Sequence, residues 1–260
     1  MTIDYFHVDA FADRAFTGNP AGVVPLKRWL PAAVLQSLAM ENNHSETAFF
    51  VPRGEAFHLR WFTPKVEIEL CGHATLAAAH VLWTHLAHSE DPIRFETMSG
   101  PVSVSRESGR LMLDFPARPP QAVEFSPPGL AEALGIKPFQ VWKTNNYLAV
   151  FRREEELKAL SPDLAKLAAL DCLGVIATAP GKSVDFVSRY FAPKVGIDED
   201  PVTGSAHCTL APYWSKRLGK PRLRAEQLSA RGGRLWCEID GDRVKIAGHA
   251  VTYMRGQIEI

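Results

Sequence analysis

A few acidic and imidazole side chains in this chain lie beside glycines or apolar segments, where proton transfer can be carried out. Glu46 stands in a polar loop immediately before the apolar run 47–51. A carboxylate sheltered from water in this way has its pKa raised toward neutrality and becomes a usable base. His73 follows Gly72 at the predicted start of a helix, where the helix dipole disfavours the cationic imidazolium. These residue types indicate proton transfer at carbon.

A second group of such residues accompanies another glycine, because Asp200 precedes Thr203-Gly204-Ser205 at the predicted start of a second helix. First-turn N–H groups have no partners inside a helix and attract anions, and a preceding glycine lets the backbone approach a ligand. Both helix starts could therefore hold a carboxylate or a developing enolate in one cleft. We expect substrate contacts from residues at these helix starts and in an early turn: Gly72, Ala74, Thr203, Gly204 and Asn19.

Each of the candidate catalytic residues also has an ordinary structural explanation. Glu46 could be a surface or capping carboxylate, and His73 could be a hydrogen-bonding residue of a first helical turn. Asp200 and Ser205 could serve as helix caps. The residues by themselves leave both explanations open.

Several other kinds of site do not fit the sequence. Neither glycine turn has the pattern of a phosphate loop or a dinucleotide fingerprint. His73 and His80 are seven residues apart and not the four of a zinc helix, and no paired-cysteine motif is present. A serine or cysteine nucleophile would lack its elbow sequence. We therefore predict no metal and no cofactor.

The elements that must position these residues occur twice in the chain. The segment RWFTPKVEI at 60–68 is repeated as RYFAPKVGI at 189–197, half a chain length later. Each copy is followed by a glycine, a polar residue, an alanine and an apolar run. Repeats of this length indicate duplicated structural units.

Each half therefore reads as strands, a glycine turn, one apolar helix and further strands. We predict an α+β fold of two pseudo-symmetric domains, each a curved, mostly antiparallel sheet wrapped around a central helix. The proline-rich segment 116–128 is the predicted linker between domains 1–118 and 119–249. A final strand near 250–260 could return to the first domain.

The overall composition of the chain indicates which classes of binding partner to expect. Lys plus Arg and Asp plus Glu number 29 each and form no charged run, which argues against nucleic acid as a partner. No apolar run reaches membrane-spanning length, the N-terminus does not resemble a signal peptide, and four scattered cysteines favour free thiols in a reducing cytosol. We expect a cytoplasmic protein that binds a small carboxylate.

Six motifs taken together resemble the PhzF-like phenazine-biosynthesis proteins, which have the diaminopimelate-epimerase fold. The resemblance implies two similar α+β domains with the active site in the cleft between them, and it implies a homodimer. The motifs are Asp9-Ala10-Phe11, Gly18-Asn19-Pro20, Ser45-Glu46-Thr47, Arg60-Trp61-Phe62-Thr63-Pro64, Cys71-Gly72-His73-Ala74-Thr75 and Glu199-Asp200-Pro201-Val202-Thr203-Gly204-Ser205-Ala206.

The resemblance also implies a reaction and the roles of four residues. The best-known enzyme of the family isomerises a dihydro-hydroxyanthranilate without a cofactor by moving a proton between ring carbons. Its acid/base glutamate matches Glu46, and its supporting histidine, aspartate and serine match His73, Asp200 and Ser205. The expected function is a cofactor-independent isomerase.

Two rival functions follow from the same residues. Cys71-Gly72-His73 is similar to one half of the paired cysteine site of cofactor-independent racemases and epimerases. The repeat places the equivalent of Cys71 between Asp200 and Thr203, where no cysteine stands, and Cys208 lies further down the helix. Cys71 is then a small packed residue. The second rival is a protein that binds a metabolite without turning it over.

Overall fold

A computed structural model describes residues 1–260, and the chain divides into two compact units. Unit 1 comprises Met1–Asp114 and Ala247–Ile260, and unit 2 comprises Phe115–Ile246. Each unit combines antiparallel and parallel strand pairs with one long helix, so the predicted α+β class is confirmed.

The strands of unit 1 are mostly antiparallel. Strand β1 pairs on one side with β2 and on the other with β18, which is the last strand of the chain. Parallel pairs join β2 to β3 and β4 to β6, and antiparallel pairs join β3 to β4 and β6 to β7. The elements are β1 Thr2–Ala10, β2 Asn19–Pro25, α1 Ala32–Asn42, β3 Glu46–Arg53, β4 Ala56–Phe62, β5 Glu67–Ile68, α2 Gly72–His85, β6 Ile93–Thr97, β7 Gly100–Glu107, β8 Arg110–Pro116 and β18 Ala250–Glu259.

Unit 2 repeats this alternation of pairings. Strands β11 and β12 are parallel, as are β13 and β15, while β10 with β11, β12 with β13, and β15 with β16 are antiparallel. The elements are β9 Gln121–Ala122, α3 Leu130–Leu134, β10 Gln140–Lys143, β11 Tyr147–Val150, α4 Glu154–Lys158, α5 Leu164–Ala168, β12 Val175–Pro180, β13 Phe186–Ala192, a 3-10 turn Pro193–Val195, β14 Ile197–Asp200, α6 Gly204–Leu218, β15 Arg222–Gln227, β16 Gly233–Asp240 and β17 Arg243–Gly248.

The long helix of each unit is mostly buried. Ten of the fourteen residues of α2 are buried, and its alanines at 77, 78 and 79 are completely inaccessible. A helix that is apolar on most sides is stable only when other elements cover it. Helix α6 contains Pro212, which has no N–H to bond the carbonyl of Cys208. The backbone N–H of Arg118 donates to that carbonyl instead, at 2.8 Å.

The internal repeat is visible in pairings that the two units share. The parallel pair β4–β6 aligns Phe57 with Phe95, and the parallel pair β13–β15 aligns Phe186 with Ala225. In the repeat, Phe57 corresponds to Phe186 and Phe95 corresponds to Ala225. The two units therefore use the same strand register.

An arginine–glutamate pair is also present in both units. Arg60 donates two hydrogen bonds to Glu67, at 2.6 and 2.7 Å, and Arg189 donates two to Glu199, at 2.7 and 2.8 Å. The second pair spans three more residues than the first, which agrees with the longer second copy of the motif. The repeat thus preserves side-chain contacts as well as strand order.

Three element boundaries differ from the sequence-based predictions. The apolar pattern of the sequence predicts a helix at 74–88, and the first long helix spans residues 72–85. The polar residues at 41–45 predict that α1 ends before them, but α1 continues through Asn42 and is capped by Asn43, whose φ of 50° is left-handed, as is common at helix ends. Glu46 is the first residue of β3 and not part of the preceding loop. Strand pairing, which local composition does not show, sets this last boundary.

No helix of this chain has the length and apolar character needed to cross a membrane. All four cysteines are free thiols, as predicted from their spacing.

Candidate active site

The parallel pairing of β2 and β3 places Glu46 in a buried position. Its Cα is paired with that of Ala21, so the carboxylate lies next to the Asn19-Pro20 segment that begins β2. Only 6% of Glu46 is exposed. A carboxylate in such a position loses most of its hydration and depends on neighbouring hydrogen-bond donors.

His73 lies beside this carboxylate. It is the second residue of α2, 5% exposed, and its Nε2 lies 3.3 Å from Oε2 of Glu46. Burial lowers the pKa of His73 from 6.5 to about 3, and the nearby His44 lowers it further, while a hydrogen bond to the carbonyl of Pro20 acts in the opposite direction. The imidazole is therefore neutral near pH 7 and can donate only one N–H.

Two further residues of the same unit contact the imidazole or its neighbour. The side-chain amide nitrogen of Asn19 lies 3.3 Å from Nδ1 of His73, and Ser45 Oγ lies 3.4 Å from Nε2. The Ser45 hydroxyl also donates to Oδ1 of Asn19 at 3.2 Å. Asn19 is completely buried, and its side-chain amide contacts the imidazole.

Cys71 lies immediately before α2 and approaches the other edge of the same ring. Its Sγ is 3.5 Å from Nδ1 of His73, and the residue is 7% exposed. One ligand atom from each of Glu46, Cys71 and His73 lies within 4.8 Å of the others. The carboxylate, however, faces Nε2 and the thiol faces Nδ1, whereas a metal ion would use a single nitrogen. The carboxylate and the thiol therefore approach different nitrogens of the imidazole.

In unit 2, Asp200 ends β14 and lies three residues before the N-cap of α6. Thr203 occupies that N-cap position, so capping by Asp200 is excluded as its explanation. The hydroxyl of Thr203 donates to Oδ2 of Asp200 at 2.5 Å, and Asp200 is 7% exposed. The local structure holds this carboxylate through a side chain at the start of the helix.

The remaining predicted residues lie at the two helix starts. Gly72 and Ala74 are buried in the first turn of α2, and Gly204 is the first residue of α6. Ser205 follows it and is exposed, which contrasts with the burial of its repeat counterpart His73. Each unit thus brings its own predicted residues to the start of its long helix.

Sequence reasoning did not identify Gln227, which organises the site of the second unit. This side chain is completely buried at the end of β15. Its Oε1 accepts the N–H of Thr203 at 2.9 Å, and its Nε2 donates to the carbonyl of Asp200 at 2.7 Å and to the Thr203 hydroxyl at 3.1 Å. The repeat contained a signal, because Gln227 is the counterpart of Thr97 in an otherwise similar segment.

The sequence did not indicate that His207 helps to shape the start of α6. Its Nδ1 donates to the carbonyl of Thr203 at 2.8 Å, just as the hydroxyl of Thr75 donates to the carbonyl of Cys71 at 2.5 Å in unit 1. Burial lowers the pKa of His207 to about 4. Both helices therefore begin with a side chain that bonds the carbonyl four residues earlier.

Comparison with known proteins gives consistent results. Residues 8–256 match the PhzC-PhzF family model, described as phenazine biosynthesis-like protein. An uncharacterized isomerase of Pseudomonas aeruginosa is 54% identical over 260 residues, covering 100% of both chains. The crystal structure of a PhzF family phenazine biosynthesis protein from Enterococcus faecalis is 47% identical and has a TM-score of 0.98, again covering 100% of both chains.

A more distant likeness concerns the fold alone. The structure of a probable proline racemase from Agrobacterium radiobacter covers 99% of this chain and 93% of its own, with a TM-score of 0.63 and 10% identity. The sequence itself supports the relationship to the PhzC-PhzF family. This chain belongs to the phenazine biosynthesis-like PhzC-PhzF family.

Proposed function

We propose that the protein is an isomerase that moves a proton between two carbon atoms of a small carboxylate, with Glu46 as general acid/base and without a cofactor. The observation that carries this proposal is the buried carboxylate of Glu46, 3.3 Å from Nε2 of His73 at the start of a helix. Relatives named as isomerases support the reaction class.

The proposed step needs only groups of this chain. The Glu46 carboxylate takes a proton from a substrate carbon, and the electron pair of the broken C–H bond delocalises into the substrate. Glu46 then returns the proton to a second carbon, which restores its carboxylate. The neutral His73 can donate its N–H to the ionised carboxylate and so offset the loss of hydration that burial imposes on it.

The roles of the candidate residues in unit 2 are proposed from the family resemblance. Backbone N–H groups at the start of α6 and the Ser205 hydroxyl would bind the anionic part of the substrate, and Asp200 would orient it. Replacing Ser205 with Ala is expected to raise KM more than it lowers kcat. A homodimer stays a prediction from the family resemblance, and sedimentation analysis tests it. A cytoplasmic location stays a prediction from the composition and the unpaired cysteines.

Proton exchange with solvent tests the reaction directly. Purified protein is incubated in deuterated water with a dihydro-hydroxyanthranilate, and deuterium at substrate carbons is followed by NMR. The wild type should incorporate deuterium, and Glu46→Gln should reduce this rate about 10²- to 10⁴-fold. Glu41→Gln is the matched control because Glu41 is exposed at the end of α1, and it should leave the rate unchanged.

Two outcomes would contradict the proposal. Exchange that persists in Glu46→Gln would assign the base to another residue. Saturable binding of the probe by the wild type, without any exchange, would favour a metabolite-binding protein.

A thiol racemase is the second candidate, because Cys71 contacts His73. Such an enzyme needs a second thiol, and the residue that precedes the helix glycine in unit 2 is Thr203. Cys208 does not supply one, since it is 5% exposed and burial raises its pKa to about 12. Loss of exchange in Cys71→Ser, with exchange retained in Glu46→Gln, would favour the racemase.

A further inference from the structure

The two ring nitrogens of His73 face chemically different neighbours. Nδ1 lies 3.3 Å from the amide nitrogen of Asn19 and 3.5 Å from the thiol of Cys71. An amide nitrogen can only donate a hydrogen bond, and a thiol donates weakly. Nε2 lies 3.3 Å from a carboxylate oxygen of Glu46, which accepts when ionised, and 3.4 Å from Oγ of Ser45, which can donate or accept. The carbonyl of Pro20 is a further acceptor for a ring N–H.

These neighbours decide where the single proton of a neutral imidazole is placed. A proton on Nε2 lies on the side of the ring that faces the Glu46 carboxylate, and it leaves the Nδ1 lone pair facing two donors. The other tautomer would turn a lone pair toward the carboxylate and an N–H toward the Asn19 amide. Only the first arrangement avoids placing two hydrogen-bond donors face to face at Nδ1.

The hydroxyl of Ser45 completes the chain. It lies 3.2 Å from Oδ1 of Asn19 and can donate to that oxygen. When Oδ1 of Asn19 is used in this way, its Nδ2 is the atom presented to His73. Donation then runs in one direction, from Ser45 through Asn19 to Nδ1 of His73.

We propose that Asn19 is a positioning residue that, together with Ser45, holds His73 in the tautomer protonated on Nε2, with that N–H on the side of the ring that faces Glu46. His73 then serves as a hydrogen-bond donor to the base, and proton transfer at carbon is left to the carboxylate. The functional part of this inference rests on the proposed role of Glu46. The tautomer itself does not.

The tautomer can be measured without knowing the substrate. Protein labelled with ¹⁵N-histidine is studied by long-range ¹H–¹⁵N correlation NMR at neutral pH, and the His73 signals are identified by their loss in His73→Gln. The wild type should show a protonated Nε2 and an unprotonated Nδ1. A protonated Nδ1 in the wild type would overturn the proposal.

Substitution of Asn19 tests its causal role. Asn19→Asp keeps the shape but places an acceptor beside Nδ1, so His73 should gain a proton on Nδ1. Cys71→Ala removes the other donor near Nδ1 and should leave the tautomer unchanged. The proposal is wrong if Asn19→Asp retains the wild-type pattern or if Cys71→Ala alone inverts it. If Asn19→Asp does not fold, the wild-type and Cys71→Ala spectra still decide the matter.

The exchange assay separates this inference from the proposed function. If both are right, Asn19→Asp lowers kcat for deuterium exchange by about 10²-fold or more, because the tautomer that supports the base is lost. If the wild type has the proposed tautomer but neither it nor any variant exchanges deuterium, the proposed function is wrong and the positioning role of Asn19 is retained. Normal exchange in Asn19→Asp, with an inverted tautomer, would refute the catalytic importance of the positioning.

Discussion

Acid should weaken this protein through two buried histidines, one in each unit. Burial lowers the pKa of His73 to about 3 and that of His207 to about 4, from an ordinary value of 6.5. Nε2 of His207 is buried without a hydrogen-bond partner, so a charge there would gain no compensating contact. Both residues are thus neutral in the folded protein at pH values where they are protonated in the unfolded chain.

The sign and size of the effect follow from proton linkage. Between the folded and unfolded pKa values the unfolded chain binds more protons, so the free energy of unfolding falls as the pH falls from 6.5 toward 3 or 4. At pH 5 the solution lies about 1.5 units below the unfolded pKa. At about 1.36 kcal/mol per unit, each histidine costs about 2 kcal/mol relative to pH 7, and the two together cost about 4 kcal/mol.

Denaturant titrations of the wild type and of His73→Gln, His207→Gln and the double variant, at pH 7 and pH 5, measure this effect. Each single variant should reduce the pH-dependent loss of unfolding free energy by about 2 kcal/mol, and the double variant by about 4 kcal/mol. Acidic residues other than Glu46, which lies beside His73, contribute equally to all four proteins, so His207→Gln isolates the contribution of one histidine. The reasoning is refuted if the double variant loses as much stability at pH 5 as the wild type does.

Two further predictions concern buried polar contacts of the second unit. Gln227→Leu should lower the free energy of unfolding by about 2 to 4 kcal/mol, because it leaves the N–H of Thr203 and the carbonyl of Asp200 unpaired; a loss below about 1 kcal/mol in urea titration would contradict this. Arg189→Lys should cost about 2 kcal/mol, because lysine cannot keep the two bonds to Glu199 together with those to the carbonyls of residues 157 and 160. Arg60→Lys is the matched control from unit 1, and an equal or larger loss there would show that the carbonyl contacts contribute nothing.

The duplicated architecture could be predicted from local patterns. Strands, glycine turns and apolar helices have characteristic periodicities, and a repeat within one chain doubles the signal. The α2 and α6 regions were recognisable because each combines a glycine with a following apolar run. The exact ends of these helices could not be predicted, because the first residues of a helix are set by backbone geometry and lie outside the apolar pattern.

The strand position of Glu46 could not be predicted from its local sequence. The polar residues on its N-terminal side indicate a loop, and nothing in that segment reveals a strand partner. Parallel pairing with β2, which lies on the far side of helix α1 in the chain, is what draws Glu46 into a strand and buries it. Register between separated strands is a long-range property that composition does not specify.

The sequence by itself therefore determined the duplication, the α+β class, the family and the short list of residues able to carry chemistry, because each of these is encoded in residue types and their spacing. Only the tertiary structure decided which atoms of those residues meet. Asn19, Ser45 and Cys71 converge on one imidazole although Asn19 and Ser45 come from other elements of the chain, and Gln227 fastens Asp200 and Thr203 from a different strand. Hydrogen bonds are directional and act over about 3 Å, so they depend on strand register and side-chain packing that no local pattern contains.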